Sequence, residues 1–219
     1  MSMGRGAALP DNSRMYYGER LNGYTHLAGS VLAVGAGASL VELAAARGDP
    51  TRLASFSIYA ATLVLTYLAS TCYHSTRGRA KAIFRKIDHS AIYLLIAGSY
   101  TPFALVSLNG SWGWTLFAAS WSLAAVGIVQ EMWIAKGARL TSLAIYMLMG
   151  WMGLALMEPL ERALTANGFA LLVASGAVYT VGIVFFLFDH RYRHWHGIWH
   201  LCVIGGSALH YIAVLKFVA

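Results

Sequence analysis

Seven long apolar runs separated by short polar connections dominate the pattern of this 219-residue chain. Most of the runs match the roughly 20 residues that an α-helix needs to cross the hydrocarbon core of a bilayer. The connections are too short to hold a second domain. The pattern therefore predicts an all-α membrane protein, built as a single bundle of seven transmembrane helices. The predicted runs cover residues 23–44, 53–75, 88–108, 112–130, 141–157, 168–188 and 196–217.

Residues 1–18 form a polar N-terminal tail, in which no apolar segment could be the core of a signal peptide. The first apolar run has full spanning length, so we expect it to stay in the protein as a membrane helix. The predicted organisation is a tail over residues 1–18, followed by one seven-helix transmembrane domain over residues 19–219.

Composition agrees with a membrane protein, since 58% of the residues are hydrophobic and only 11% are charged. Soluble domains carry roughly 25% charged residues. The net charge of +7 would also fit a nucleic-acid partner, but basic residues in membrane proteins usually mark cytoplasmic loops. We therefore expect a lipid bilayer as the environment and no nucleic-acid partner.

The basic residues are distributed unevenly over the two sides of the predicted bundle. With the N-terminus in the cytoplasm, twelve of the sixteen Lys and Arg residues lie on the cytoplasmic side. The remaining four lie outside: Arg47, Arg52, Arg162 and Lys216. Because cytoplasmic loops carry the excess of Lys and Arg, this count predicts a cytoplasmic N-terminus and an external C-terminus.

Two pairs of polar residues at helical spacing carry the first chemical signal. His196 and His200 are four residues apart at the start of the last run, so on a helix they share one face and can grip one metal ion. Ser70 and His74 repeat this spacing at the end of the second run, and Asp88 opens the third.

Helix direction is expected to bring these groups to one level. In the predicted topology, the end of the second helix and the starts of the first, third and seventh all lie on the cytoplasmic side. Ionisable groups inside a membrane are costly and usually functional, so their convergence predicts a site. The alternative is a set of interhelical hydrogen bonds that only stabilise the bundle. The converging residues are Glu19, Asn22, His26, Ser70, His74, Asp88, His196 and His200.

Three histidines suit a zinc ion, which in catalytic sites commonly takes three protein ligands and keeps the fourth position open. We expect His74, His196 and His200 to bind zinc, which lowers the pKa of a bound water to about 7. Asp88 could hold and deprotonate that water, or orient a histidine. Ser70 could hydrogen-bond Asp88, the water or a substrate carbonyl.

Two further histidines are expected outside this site. His210 lies ten residues beyond His200, or roughly 15 Å along a helix, so an interhelical hydrogen bond is its expected role. His89 lies about 100° round the helix from Asp88, and it is expected to pack or to form a hydrogen bond. The sequence assigns no role to Glu19, Asn22 or His26.

Four segments of the chain resemble one known family. They are Gly18–His26, Ser70–Ser75, Asp88–Pro102 and His196–His200. Together they are similar to the bacterial haemolysin III family, the prokaryotic branch of the progestin and adipoQ receptors. That group includes the adiponectin receptors and belongs to a wider superfamily with the alkaline ceramidases.

The resemblance implies a seven-helix protein of the bacterial cytoplasmic (inner) membrane, with a zinc site near the cytoplasmic face. The three zinc ligands of the family match His74, His196 and His200, and Ser70 and Asp88 match its remaining shared polar positions. The implied N-terminal orientation agrees with the charge count.

Three functions are open at this point. The leading hypothesis is a zinc-dependent intramembrane hydrolase of lipid amides or esters, similar to a ceramidase, with Asp88 and Ser70 as catalytic residues. The second is a non-enzymatic sensor or membrane-homeostasis protein with a structural zinc. The third, a haemolysin-like membrane-permeabilising protein, fits less well because a pore needs polar residues along its length.

Overall fold

A computed structural model describes residues 18–134 and 139–219. The predicted N-terminal tail, apart from Gly18, lies outside the described residues. Within these two ranges the regular structure is entirely helical, as the apolar pattern predicts. The α-helices are α1 (Arg20–Arg47), α2 (Pro50–Ser75), α3 (Gly78–Pro102), α4 (Gly110–Val129), α5 (Arg139–Trp151), α6 (Met157–Leu187) and α7 (Trp195–Phe217).

Six helical stretches are long and apolar enough to cross a membrane. The chain is therefore an integral membrane protein, with a lipid bilayer as its surroundings. The stretches are Arg20–Arg47, Pro50–Ser75, Gly78–Leu108, Gly110–Trp133, Arg139–Leu187 and Trp195–Phe217.

A two-residue turn joins α1 to α2. Gly48 ends α1 with a φ of 66°, in the left-handed region that glycine adopts without a steric penalty. The Asp49 side chain then accepts hydrogen bonds from the backbone N–H groups of Thr51 (2.9 Å) and Arg52 (3.1 Å). Pro50 occupies the first position of α2, where its missing N–H costs nothing. The tight turn makes the helices antiparallel, so the start of α1 lies beside the end of α2.

Helix α3 begins at Gly78, ten residues before the predicted start of the third run. The apolar pattern marks only the part of a helix that lies in hydrocarbon, and the basic residues between Arg79 and Lys86 continue the same helix beyond it. Asp88 therefore lies in the third turn of α3 rather than at its start, and the predicted boundary is wrong.

The connection predicted between the fifth and sixth runs, residues 158–167, is in the right place but is shorter than expected, because most of its residues are helical. A turn of 3-10 helix, Met152–Leu156, leads from α5 directly into α6. The helical conformation is interrupted at Thr165, inside the predicted connection, with a φ of 63° and a ψ of 164°.

Contacts across Thr165 show that the chain turns back there. The Trp151 indole N–H donates a hydrogen bond to Thr180 Oγ1 at 3.0 Å, and Arg139 contacts the Asp189 carboxylate at 2.9 Å. Both pairs are placed almost symmetrically about Thr165. A straight helix would separate Trp151 from Thr180 by about 44 Å, so the two flanks run antiparallel.

Two groups of buried side chains form the core. The larger joins α1, α2 and α7 to the ends of α3 and α6, and the smaller joins α3, α4 and α5 around Tyr93, Tyr146 and Met149. Helices α2 and α3 pack closely at Gly98, where an added Cβ atom would lie 2.1 Å from Thr62 Oγ1. Small residues permit such contacts between membrane helices.

Candidate metal centre

Three histidines from two helices converge at the end of the bundle where α2 ends and α7 begins. His74 lies in the last turn of α2, and His196 and His200 lie in the first two turns of α7. Each offers a ring nitrogen, and these three atoms all lie within 4.8 Å of one another. His74 and His200 are each only 2% exposed, and His196 is half-buried. The predicted ligand set is therefore brought together.

The other nitrogen of each ring already contacts an oxygen atom. When Nδ1 donates to an oxygen, the ring keeps its lone pair on Nε2, the atom that binds a metal. Nε2 of His74 is buried and has no hydrogen-bond partner among the described residues. The three Nδ1 contacts are His74 with Glu19 Oε2 (2.5 Å), His196 with Asp189 Oδ2 (2.6 Å) and His200 with the Asn22 carbonyl oxygen (3.0 Å).

These residues fit a metal ion. Imidazole suits zinc, copper, iron and nickel. Bonds of about 2.0–2.1 Å to a tetrahedral ion place the nitrogens roughly 3.3 Å apart, so binding would draw the rings together by about 1.5 Å at most. His74, His196 and His200 could thus hold one ion.

Glu19 lies just before α1 and connects His74 to α3. Its second carboxylate oxygen accepts a hydrogen bond from Lys81 Nζ at 2.9 Å, and Asn22 Nδ2 donates to the first at 3.1 Å. Burial alone would raise the pKa of Glu19, but the hydrogen bonds and charges of His74 and Lys81 hold this pKa well below its usual range. Glu19 is therefore a charged acceptor for the His74 ring.

Asp189 lies in the connection between α6 and α7 and plays the same part for His196. Its other oxygen accepts from the Arg139 guanidinium, which also stacks on the Phe186 ring at 3.8 Å from the ring centre. Burial opposes ionisation of Asp189, but the hydrogen bonds of His196 and Arg139 outweigh it and lower the pKa of this carboxyl.

The two predicted catalytic residues border the same cluster. Asp88 is half-buried on α3 and lines the same cavity as the three histidines. Ser70 is 1% exposed, one turn before His74, and its hydroxyl oxygen has no hydrogen-bond partner within the described part of the chain. Both residues therefore lie beside the cluster, and their catalytic roles stay predictions.

A cavity of about 1020 Å³ opens from this cluster into the bundle. Its polar end contains all five predicted site residues, and side chains such as Leu95, Leu143, Val173 and Ile183 make the rest largely apolar. His210 lies at its far end and contacts the Ser99 carbonyl oxygen through Nε2 at 3.0 Å, which confirms the predicted interhelical hydrogen bond.

Two carboxylates near the cavity are not indicated by the sequence pattern, the half-buried Asp189 and the buried Glu131. Asp189 lies in the basic connection between α6 and α7, outside any helix, so no helical spacing relates it to His196. Glu131 lies one residue beyond the predicted fourth run, in a π-helical turn, and is 5% exposed. It contacts His89 Nδ1 at 2.9 Å and accepts from Ser142 at 3.0 Å, which confirms the hydrogen-bonding role expected for His89.

The sequence model of the haemolysin-III related family matches residues 15–211 of the chain. The chain belongs to this family. It is 41% identical over 201 residues to Hemolysin-3 of Bacillus cereus, and the match covers 91% of each chain. It is 42% identical over 200 residues to the Hemolysin-3 homolog of Bacillus subtilis (strain 168), covering 91% of this chain and 93% of the relative.

A more distant human relative also matches this haemolysin-III related protein. It is the monocyte to macrophage differentiation factor, 26% identical over 166 residues, which cover 73% of this chain and 68% of the relative. The family resemblance based on the Ser70, Asp88 and His196 segments is thereby confirmed.

Proposed function

We propose that this protein is a zinc-dependent intramembrane hydrolase of lipid amides or esters. The observation that carries the proposal is the position of the three-histidine cluster, with Asp88 and Ser70 beside it, at the polar end of a long apolar cavity. A lipid fits such a cavity when its acyl chain fills the apolar part and its carbonyl group reaches the histidines.

The side chains around the cluster divide the work of hydrolysis. Zinc, when bound by the histidines, supplies a Lewis acid that polarises the carbonyl and makes water more acidic. Asp88 accepts the proton of the water that attacks the carbonyl carbon, and passes it to the leaving nitrogen or oxygen as the C–N or C–O bond breaks. Ser70 donates its unpartnered hydroxyl to the carbonyl oxygen. The products are a fatty acid and an amine or an alcohol.

The proposed topology has seven crossings, with the N-terminus in the cytoplasm of a bacterial cell and the site at the cytoplasmic leaflet of its inner membrane. Two observations support two crossings within Arg139–Leu187. The chain reverses at Thr165, and the stretch has 49 residues, more than twice the roughly 20 that one crossing needs. The excess of Lys and Arg on one side supports the orientation.

A second candidate function follows from the origin of the ligands. Because His74 belongs to α2 and the other two ligands to α7, a bound zinc would tie these helices together. The protein would then be a sensor or homeostasis protein with a structural metal. In that case Asp88→Asn, which leaves all three histidines in place, would be silent, whereas His74→Ala would unfold the bundle.

Fatty-acid release by the purified, zinc-loaded protein tests the hydrolase. We expect wild type to release fatty acid from an N-acyl lipid or a phospholipid in mixed micelles. Asp88→Asn should reduce the rate by about 10²–10⁴-fold, because it removes the proton acceptor. Metal analysis of the same samples should give equal zinc in both proteins. Equal zinc without fatty-acid release by wild type would favour the structural role.

A further inference from the structure

Helix α1 supplies none of the three histidines, yet its first two turns and the residue before them contact two of the three. Glu19 contacts His74, and Asn22 and Thr25 contact His200. We propose that Glu19 and Asp189 are positioning residues of the metal site, and that the start of α1 holds two of its ligands in orientation. This inference rests on the metal binding in the proposed function, but not on catalysis.

The Glu19 contact is specific for one orientation of the His74 ring. The carboxylate lies 2.5 Å from Nδ1, so the buried Nε2 of His74, which has no hydrogen-bond partner among the described residues, is the nitrogen left for a metal. Glu19 is itself held from two sides, by Lys81 on α3 and by Asn22 on α1. A carboxylate fixed in this way limits the rotation of the ring that it contacts.

Asp189 fixes the second ligand in the same way from a different part of the chain. Its Oδ2 atom lies 2.6 Å from His196 Nδ1, while Oδ1 lies 2.9 Å from the Arg139 guanidinium. The carboxylate thus joins the first turn of α7 to the start of α5. Without it, the half-buried His196 ring would be free to rotate towards solvent.

The third ligand is held by backbone and by ring stacking. His200 Nδ1 lies 3.0 Å from the Asn22 carbonyl oxygen and 3.2 Å from Thr25 Oγ1. The His26 ring covers one face of His200, with 3.5 Å between the ring centres and 8° between the planes. All three contacts come from α1, so this helix determines the plane of the His200 ring.

The three histidines share one pattern of contacts, which packing alone does not require. All three candidate ligands use Nδ1 for the oxygen contact, so all three leave Nε2 for the cluster. His89 offers the internal comparison, because its Nδ1 also contacts a carboxylate, that of Glu131, but His89 is not part of the cluster. Substitution of Glu131 is therefore a matched control. It removes a buried carboxylate that contacts a histidine, but that histidine is not one of the candidate ligands.

Zinc affinity of the purified full-length protein tests the proposal, by competition with a chromophoric chelator. We expect Glu19→Ala and Asp189→Ala to weaken zinc binding by about 10–100-fold. Glu19→Gln, which keeps an oxygen acceptor, should lose less. Glu131→Ala should leave zinc affinity unchanged. Equal affinity in wild type and both alanine variants would overturn the proposal.

A second measurement separates positioning from general destabilisation. The melting temperature of the zinc-free protein should fall more in Glu131→Ala than in Asp189→Ala, because Glu131 is the more deeply buried. The absorption spectrum of cobalt(II), bound in place of zinc, should change in Asp189→Ala and match wild type in Glu131→Ala. Parallel losses of stability and affinity in all variants would instead mark Asp189 as structural.

The result is independent of turnover. If wild type binds zinc without releasing fatty acid, and the Glu19 and Asp189 variants lose affinity, the positioning role stands and the hydrolase is rejected. If wild type binds no zinc, both proposals are overturned.

Discussion

Single side chains in this protein differ in whether their polar atoms have partners. Ser207 on α7 is 5% exposed and bonds to the hydroxyls of Tyr67 (2.8 Å) and Tyr179 (2.7 Å). Ser70 is equally buried, but its hydroxyl has no partner among the residues described. The sequence predicted Ser70 from its spacing to His74. It could not predict Asp189, because the contact of Asp189 with His196 depends on how the connection between α6 and α7 folds, and no helical spacing encodes that.

Alanine substitutions at these two serines should have different effects on the stability of the protein. Ser207→Ala leaves two buried tyrosine hydroxyls without their shared partner, so we expect the free energy of unfolding to fall by about 1–3 kcal/mol. Ser70→Ala removes a group that has no partner, and should leave this free energy unchanged or slightly higher. Thermal unfolding in detergent measures both. A Ser70→Ala variant as unstable as Ser207→Ala would show that Ser70 is a packing residue.

At the scale of the helices, hydropathy predicted each apolar run but not every helix end. The polar first turns of α3 and the helical residues Met157–Leu164 carry no apolar signal that separates them from a loop. Single glycines permit close packing of neighbouring helices, because they have no Cβ atom. A Cβ atom added to Gly206 on α7 would lie 2.8 Å from the Tyr179 ring, whereas one added to Gly205 would lie 3.5 Å from Val178, an ordinary contact.

The adjacent glycines give a matched test of the packing of α6 against α7. We expect Gly206→Ala to lower the free energy of unfolding by about 1–3 kcal/mol, because the added methyl group forces the Tyr179 ring to move. Gly205→Ala should be close to neutral or slightly stabilising, since alanine favours the helix. Chemical unfolding followed by tryptophan fluorescence compares them. Equal effects would contradict the close approach at Gly206.

At the scale of the whole molecule, the three-histidine cluster and the carboxylates that contact it lie at one end of the bundle. The sequence indicated the position of the histidines from helix direction alone, since adjacent membrane helices alternate in direction. The number of crossings depends on Arg139–Leu187, a stretch of 49 residues that the sequence divides at residues 158–167 and the structure divides at Thr165. The topology therefore depends on whether this stretch crosses once or twice.

Reporter fusions determine the topology. With seven crossings and a cytoplasmic N-terminus, a reporter active only outside the cytoplasm should be active when fused after Gly48 or Ala219, and inactive after Gly78. The first and third positions establish the orientation, and Ala219 then reports the count. Activity at Gly48 with none at Ala219 would mean that Arg139–Leu187 crosses only once.

The origin of the site in both the first and the last helices has a consequence for biosynthesis. Asn22 and His200, which touch across the cluster, are 178 positions apart in the chain. At 5–20 residues per second, roughly 10–40 s pass between their emergence from the ribosome. A nascent chain that lacks α7 has only His74 of the three histidines, so it cannot assemble the cluster. If the protein binds zinc as proposed, the metal can enter only after α7 has been synthesised and inserted beside α2.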